Sequence, residues 1–422
     1  MTSDTTRPVA VIVDGYTSGT HLPPAFHRAG ADVVHVQSTP ELMPTMRNPD
    51  LSMYAANVVC ADAESVEATV ARLAQWKPVC VIAGQEPGVP LADRLSELMG
   101  LPTNGSSLSA ARRDKYEMAE ALRRAGVRCA DQHKSGDPED LVKWAEERGV
   151  YPVVVKPLDS AATDGVVVCD GPARVREAAE AVLRTQTIFG TPNREALIQS
   201  YLAGPEYVVD TVSCNARRYT SVVWRYEKRL ANGHNLYDRS TFCRPDEAPA
   251  PELIAYVDTV LTALGIEFGP THAEVIMTAE GPALVEVGAR LDGVVHPEFD
   301  DLCLGANQVD ATALAYVKPA EFLEHYAGRT YRLLSQAGHL FAATELNGVV
   351  DGYDQQVIDE IRSLESVHDL TIRLKPGGRI RPTVDLYTSP FLAHMKAASL
   401  QAIQADYERI QQLKDQIFRV RT

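Results

Sequence analysis

The sequence predicts a mixed fold, an N-terminal parallel α/β domain followed by α+β architecture, and three observations carry that prediction. The first 110 residues alternate short apolar strands with helices, as a parallel sheet requires. Beyond residue 150 strands follow one another with few helices between them, the pattern of antiparallel sheets. The 422 residues also suffice for two to three domains at roughly 150 residues each.

Taken in order, strands are predicted at 9–13 (VAVIV), 32–36 (DVVHV) and 79–83 (VCVIA), with helices at 64–75 and 88–99. The turn after the first strand, Asp14-Gly15-Tyr16-Thr17-Ser18-Gly19, lacks the G-x-G-x-x-G of a dinucleotide site. Leu101-Pro102-Thr103-Asn104-Gly105 punctuates the chain, and Ser106 or Ser107 is expected to cap a helix running to about 125. Strands follow at 152–157, 166–169, 195–202, 205–213, 217–228, 269–279 and 282–287, with helices near 172–188 and 251–264. From 312 a helix leads to strands near 331–343 and 366–374. The stretch 390–418 predicts one amphipathic helix, its stripe (Leu392, Met395, Leu400, Ile403, Tyr407, Ile410, Leu413, Ile417) serving either the core or a homodimer contact. The expected divisions are 1–110, 111–311 and 312–422.

The balance of 41 basic against 56 acidic residues, a net −15, argues against a nucleic-acid groove and an anionic membrane patch. No apolar run approaches the ~20 residues of a membrane span, and the N-terminus lacks the apolar region of a signal peptide. Seven cysteines without a C-x-x-C pair suggest neither a zinc cage nor a disulfide framework, and they read as packing residues. The chain is expected to be a soluble, cytoplasmic protein.

The most informative segment is 272–287, HAEVIMTAEGPALVEV. It reads as a hairpin with a three-residue loop, Ala279-Glu280-Gly281. If Thr278 pairs with Pro282, Glu274 falls opposite Glu286 on one face. Like charges so placed share a proton, hold a cation such as Mg²⁺, or both point into solvent. Lys156 closes an apolar strand, where it meets an anion or is simply solvated. The loop that follows, 158–165, is built of small and hydroxylic residues that let backbone N–H groups approach phosphate. Arg113-Asp114-Lys115 is a further cationic candidate, or a solvated helix face. Arg290 follows the hairpin and suits either a bidentate anion contact or an ion pair with Glu286. No Walker A motif occurs.

The succession Arg113-Asp114-Lys115, Val155-Lys156-Pro157, Gln199-Ser200-Tyr201-Leu202-Ala203-Gly204-Pro205-Glu206-Tyr207, Glu274 and Glu286-x-x-x-Arg290 resembles the ATP-grasp superfamily in order and spacing. Residues 81–92 look like the last strand and helix of the domain that precedes such a module. The whole chain is most similar to the L-amino acid ligases of the bacilysin-synthetase type, including their C-terminal region from about 312. The resemblance implies an ATP-grasp module of two α+β lobes over 111–311, with a hinge near 199–202. It implies that Lys115 and Lys156 contact the ATP phosphates and that Gln199, Tyr201 and Leu202 flank adenine. Glu206 would bind the ribose. The loop with Ser160, Thr163 and Gly165 would cover the phosphates. Glu274 and Glu286 would hold Mg²⁺, or Mn²⁺ in its place, and Arg290 would stabilise the acyl-phosphate and the tetrahedral state. Three departures stand out: Gln199 replaces a common glutamate, Gly288 replaces a metal-binding asparagine, and the phosphate loop has a single glycine.

The implied activity is ADP-forming ligation of a small carboxylate, such as an amino acid, to an amine. A carboxylate becomes electrophilic once a phosphoryl group makes it an acyl-phosphate, and positioning and charge neutralisation dominate such transfers. The alternatives are a carboxylase of the biotin-carboxylase kind and a non-catalytic ATP-binding protein. Candidate substrate contacts are Tyr226, Glu227, His234, Asn235, Tyr237, Asp238, His272 and His296, each of which is otherwise a strand or loop residue. For His296, replacement by alanine is expected to raise the KM for an amino acid.

Overall fold

A computed structural model of the chain describes residues 7–43, 46–62, 65–149, 151–159, 165–187, 190–231 and 234–421, with only the backbone described at 230, 231, 234 and 235. The predicted Ser160 and Thr163, and the side chains of His234 and Asn235, lie outside it.

The N-terminal domain is a parallel sheet in the order Asn57–Val59, Asp32–Gln37, Val9–Val13, Pro78–Ala83. Its inner strands are apolar on both faces because helices cover both sides. Helix Val89–Leu98 packs on Pro78–Ala83, and the loop between carries Glu86 toward the rest of the molecule.

The next helix is Lys115–Arg124, shorter than the one expected from Ser106 or Ser107. Its cap is Asp114, whose carboxylate accepts from the N–H groups of Tyr116 and Glu117 at 2.8 and 2.9 Å. The chain upstream is instead bent into the 3₁₀ turn Ala110–Arg112, which buries Arg112 completely. There Arg112 meets Asp93 at 2.9 Å and donates to the Leu264 carbonyl at 3.0 Å. Lys115 therefore sits at the first position of a helix rather than deep within one.

An antiparallel sheet follows in the order Gln132–Ser135, Ala196–Ser200, Val153–Pro157, Val167–Cys169, backed by helices Pro138–Arg148 and Pro172–Leu183. The largest sheet has eight antiparallel strands: Gly281–Gly288, Gly269–Thr278, Glu206–Cys214, Arg217–Ala231, His234–Phe242, Gln336–Phe341, Phe391–Ala397, Val367–Ile372. Helix Ala250–Ala263 packs on it. The last three strands belong to the C-terminal region, which continues this sheet edge to edge and adds a separate three-stranded sheet in the order Arg379–Ile380, Gly348–Tyr353, Phe418–Arg421.

One further element departs from expectation. Residues 391–397 form a strand, and the final helix is Leu400–Leu413. The strand has neighbours on both sides and is buried on both faces from Phe391 to Met395, so no alternation reveals it. In the helix, Ile403, Ile410 and Leu413 are buried in the chain's own core. Among the described residues no helix is long and apolar enough to cross a membrane.

Candidate active site

The hairpin places two glutamates face to face. Glu274 pairs with Glu286, and His272 with Gly288. The turn is one residue tighter than expected, pairing Thr278 with Gly281, and a bulge between Glu274 and Val275 restores the register. Ala279 and Glu280 alone form the loop.

Two cavities meet along this hairpin. The first, of about 540 Å³, lies between the four-stranded and eight-stranded sheets. Lys115, Lys156, Gln199, Tyr201, Leu202 and Glu206 line it together with Glu274 and Glu286. The second, of about 890 Å³, is lined by Glu86, His272 and Arg290, again with Glu274 and Glu286. Tyr226 and Tyr237 line both, their rings edge to face at 5.1 Å. His296 lines neither. It caps helix Pro297–Leu304, its Nδ1 accepting from the Phe299 N–H at 3.2 Å, and its ring lies against His394. Asp238 is turned toward the final helix, where the Tyr407 hydroxyl donates to it, and Glu227 pairs with Arg239. Gly165 has φ +67° and lies against Pro157.

The charges are heavily interlocked. Lys115 Nζ is 2.6 Å from Glu286. Burial opposes its ammonium, but Glu286, Glu86 and Asp159 outweigh that and hold its pKa above the usual value. Among the described residues no carboxylate lies within ion-pair distance of Lys156, and burial with the Lys115 charge lowers it to about 8. Glu274 is held at about 2, because His272, Lys228 and Lys115 outweigh burial. Glu206 bonds Lys228 at 2.6 Å, yet burial still raises its pKa. Arg290 Nε is 2.9 Å from Glu86, whose other oxygen is 3.2 Å from Arg113.

Beneath the hairpin His272 is clamped by Asp210 at 2.7 Å and Asp292 at 3.6 Å, with Glu274 at 3.6 Å on its other nitrogen. Trp224 Nε1 donates to Asp210 at 3.0 Å. Burial alone would keep this imidazole neutral, but the two aspartates hold its pKa well above the ordinary value. Asp210, His272 and Asp292 offer ligand atoms within 4.8 Å of one another, and the other nitrogen of His272 faces Glu274.

A divalent cation suits the opposed glutamates. Their oxygens are hard donors, and their mutual repulsion is at present relieved by Lys115 and His272. Gly288 adds no third ligand. A Cβ there would lie 2.8 Å from the Arg290 guanidinium carbon, so glycine is what lets that guanidinium rest against the strand.

Glu86, Lys228, Asp210 and Asp292 are site residues that the sequence did not single out for a role, whereas Arg113, a cationic candidate there, pairs with Glu86. Asp210 had a signal, a carboxylate in the middle of the strand EYVVDTVSC between valine and threonine. Glu86 had none, because its partners Arg113 and Arg290 are remote in sequence.

Residues 149–298 match the model of the ATP-grasp domain. Dapdiamide A synthase of Enterobacter agglomerans is 34% identical over 388 residues, which covers 91% of this chain and 90% of that protein. Among solved structures, L-amino acid ligase from Bacillus licheniformis has a TM-score of 0.76 at 20% identity, over 99% of this chain and 100% of that one. N5-carboxyaminoimidazole ribonucleotide synthetase from Thermotoga maritima has a TM-score of 0.66 at 15% identity, over 96% and 98%. These two structures are likenesses of fold.

Proposed function

As the chain belongs to the ATP-grasp family and is an ATP-dependent ligase that forms amide bonds, we propose that it condenses an amino acid or other small carboxylate with an amine through an acyl-phosphate. ADP and phosphate are the other products. The observation that carries this reading is the seam at Glu274 and Glu286, where the two cavities meet beside Arg290. One cavity takes the nucleotide, the other the two small substrates, and phosphoryl transfer occurs where they join.

Lys115 and Lys156 meet the phosphates, the latter gaining its proton firmly once the anion arrives. Gln199, Tyr201 and Leu202 flank adenine, and Glu206, steadied by Lys228, accepts from the ribose hydroxyls. The loop carrying Ser160, Thr163 and Gly165 covers the phosphates and keeps water from the acyl-phosphate. Glu274 and Glu286 would hold Mg²⁺, which when bound neutralises phosphate charge. Arg290 holds the carboxylate during activation and then the oxyanion formed as the amine attacks. Glu86 keeps that guanidinium in place at 2.9 Å.

Replacing Glu286 with glutamine is the direct test. Turnover should be lost while nucleotide binding persists, and a fully active variant would contradict the assignment.

A further inference from the structure

The second cavity carries two kinds of positive charge. Arg290 is matched by Glu86. Arg47, Arg373 and Lys375 also line the cavity, and among the described residues none of them has a carboxylate within ion-pair distance. The backbone carbonyl of Arg47 accepts from the Thr17 N–H at 2.9 Å, which anchors it to the N-terminal domain. Arg373 and Lys375 come from the C-terminal region, just beyond strand Val367–Ile372. Arg373 Nη1 donates to the Leu386 carbonyl at 2.7 Å, which fixes one edge of its guanidinium. Partial withdrawal from water lowers its pKa, opposed by the Tyr387 phenol and by no carboxylate. The cavity's four carboxylates, Glu86, Glu274, Glu286 and Asp292, balance its four Arg and Lys side chains in number, but among the described residues none of the four forms an ion pair with Arg47, Arg373 or Lys375. Phe341 and Leu386 add apolar wall beside them, where charge–charge attraction is less screened than in open water.

We propose that Arg373 and Lys375, with Arg47, form a subsite for an anionic group, carried by a substrate at a distance from the carboxylate being activated. The C-terminal region would then select substrates through a charge remote from the new bond. The inference rests on the ligase reading for its place in the reaction. A guanidinium with one edge already fixed presents its remaining N–H groups in the fork that suits a carboxylate. That anion has two sources, the free carboxylate of an amino acid used as the amine or an acidic substituent on the donor.

The test has two arms. Initial rates are compared for an amino acid and its carboxamide as amine, and for donors with and without an acidic side chain. Removing the anion that uses the subsite should raise that substrate's KM about tenfold or more, the effect of losing one charge-assisted contact. Arg373→Gln/Lys375→Gln should erase the difference and leave the KM for ATP unchanged. A double variant that discriminates as well as the wild type overturns the proposal. Calorimetry with succinate and with succinamide, in the presence of Mg²⁺ and ADP, decides the subsite without turnover. Succinate should bind the wild type about tenfold more tightly than it binds the double variant, and equal affinities count against the subsite. Should no substrate pair condense at all, the ligase reading fails while the calorimetry still decides the subsite. Lys375→Gln alone serves if the double variant does not fold.

Discussion

Glu286 accepts the Lys115 ammonium at 2.6 Å, and Glu274 faces it across the ladder. Glu286→Gln keeps the shape and removes the charge, so turnover should fall at least about a hundredfold, as expected when a preorganised charge is lost. Nucleotide affinity, measured by calorimetry, should change far less, because residues 199–202, proposed to flank adenine, are untouched. At His296 the structure redirects the expectation. That ring caps a helix and lines neither cavity, so His296→Ala should leave the amino-acid KM unchanged and cost about 1 kcal/mol of stability instead. A thermal melt beside Michaelis–Menten curves separates the two outcomes. The placement was hidden because Pro297, which opens the capped helix, gives no hint of which way the preceding side chain turns.

At the level of single elements, the hairpin shows what alternation reveals and what it conceals. Period-two patterning put Glu274 and Glu286 on one face, and the structure does the same. The turn is one residue shorter than the sequence suggested and a bulge adds one residue back, so the two departures cancel at the glutamates. A bulge needs no distinctive residue here, and sequence offered no sign of it. The helix Lys115–Arg124 depends on Asp114, and Asp114→Ala should cost about 1 kcal/mol and weaken ATP binding by displacing Lys115.

The C-terminal strands bring a pH dependence of their own. His394 on Phe391–Ala397 packs against His296 and His339, with Asp369 at 3.8 Å and His368 nearby. Burial and the neighbouring imidazoles lower its pKa from 6.5 to about 4. Between those values the unfolded chain binds a proton that the folded chain refuses. Stability therefore falls as pH drops through this window, by roughly 3 kcal/mol from His394. Burial lowers His339 in the same direction. Melting temperatures measured from pH 7 to pH 4 should decline, and His394→Leu should flatten that decline; an unchanged slope would contradict the cause.

Across the whole molecule, the site is assembled from parts that sequence order keeps far apart. The N-terminal domain lends Glu86, the hairpin Glu274 and Glu286, the segment after it Arg290, and the C-terminal region Arg373 and Lys375. The fold classes and the order of motifs were legible because strand and helix periodicities are local. The continuity of one eight-stranded sheet into the C-terminal region was not, since edge-to-edge pairing leaves no mark on either strand's composition. Arg112 is one bond between parts, wholly buried and joining Asp93 to the Leu264 carbonyl. Arg112→Met strands Asp93 without its partner and should cost about 3–5 kcal/mol, read by chemical denaturation.

The proposed amide-forming chemistry takes place at the seam between the two cavities. Mass spectrometry of a reaction with ATP, Mg²⁺ and pooled amino acids, following nucleotide and organic products together, tests it most directly. ADP, phosphate and a new condensed mass are expected, the last failing to form with Glu286→Gln. Release of AMP, or turnover that requires bicarbonate and no amine, would contradict it.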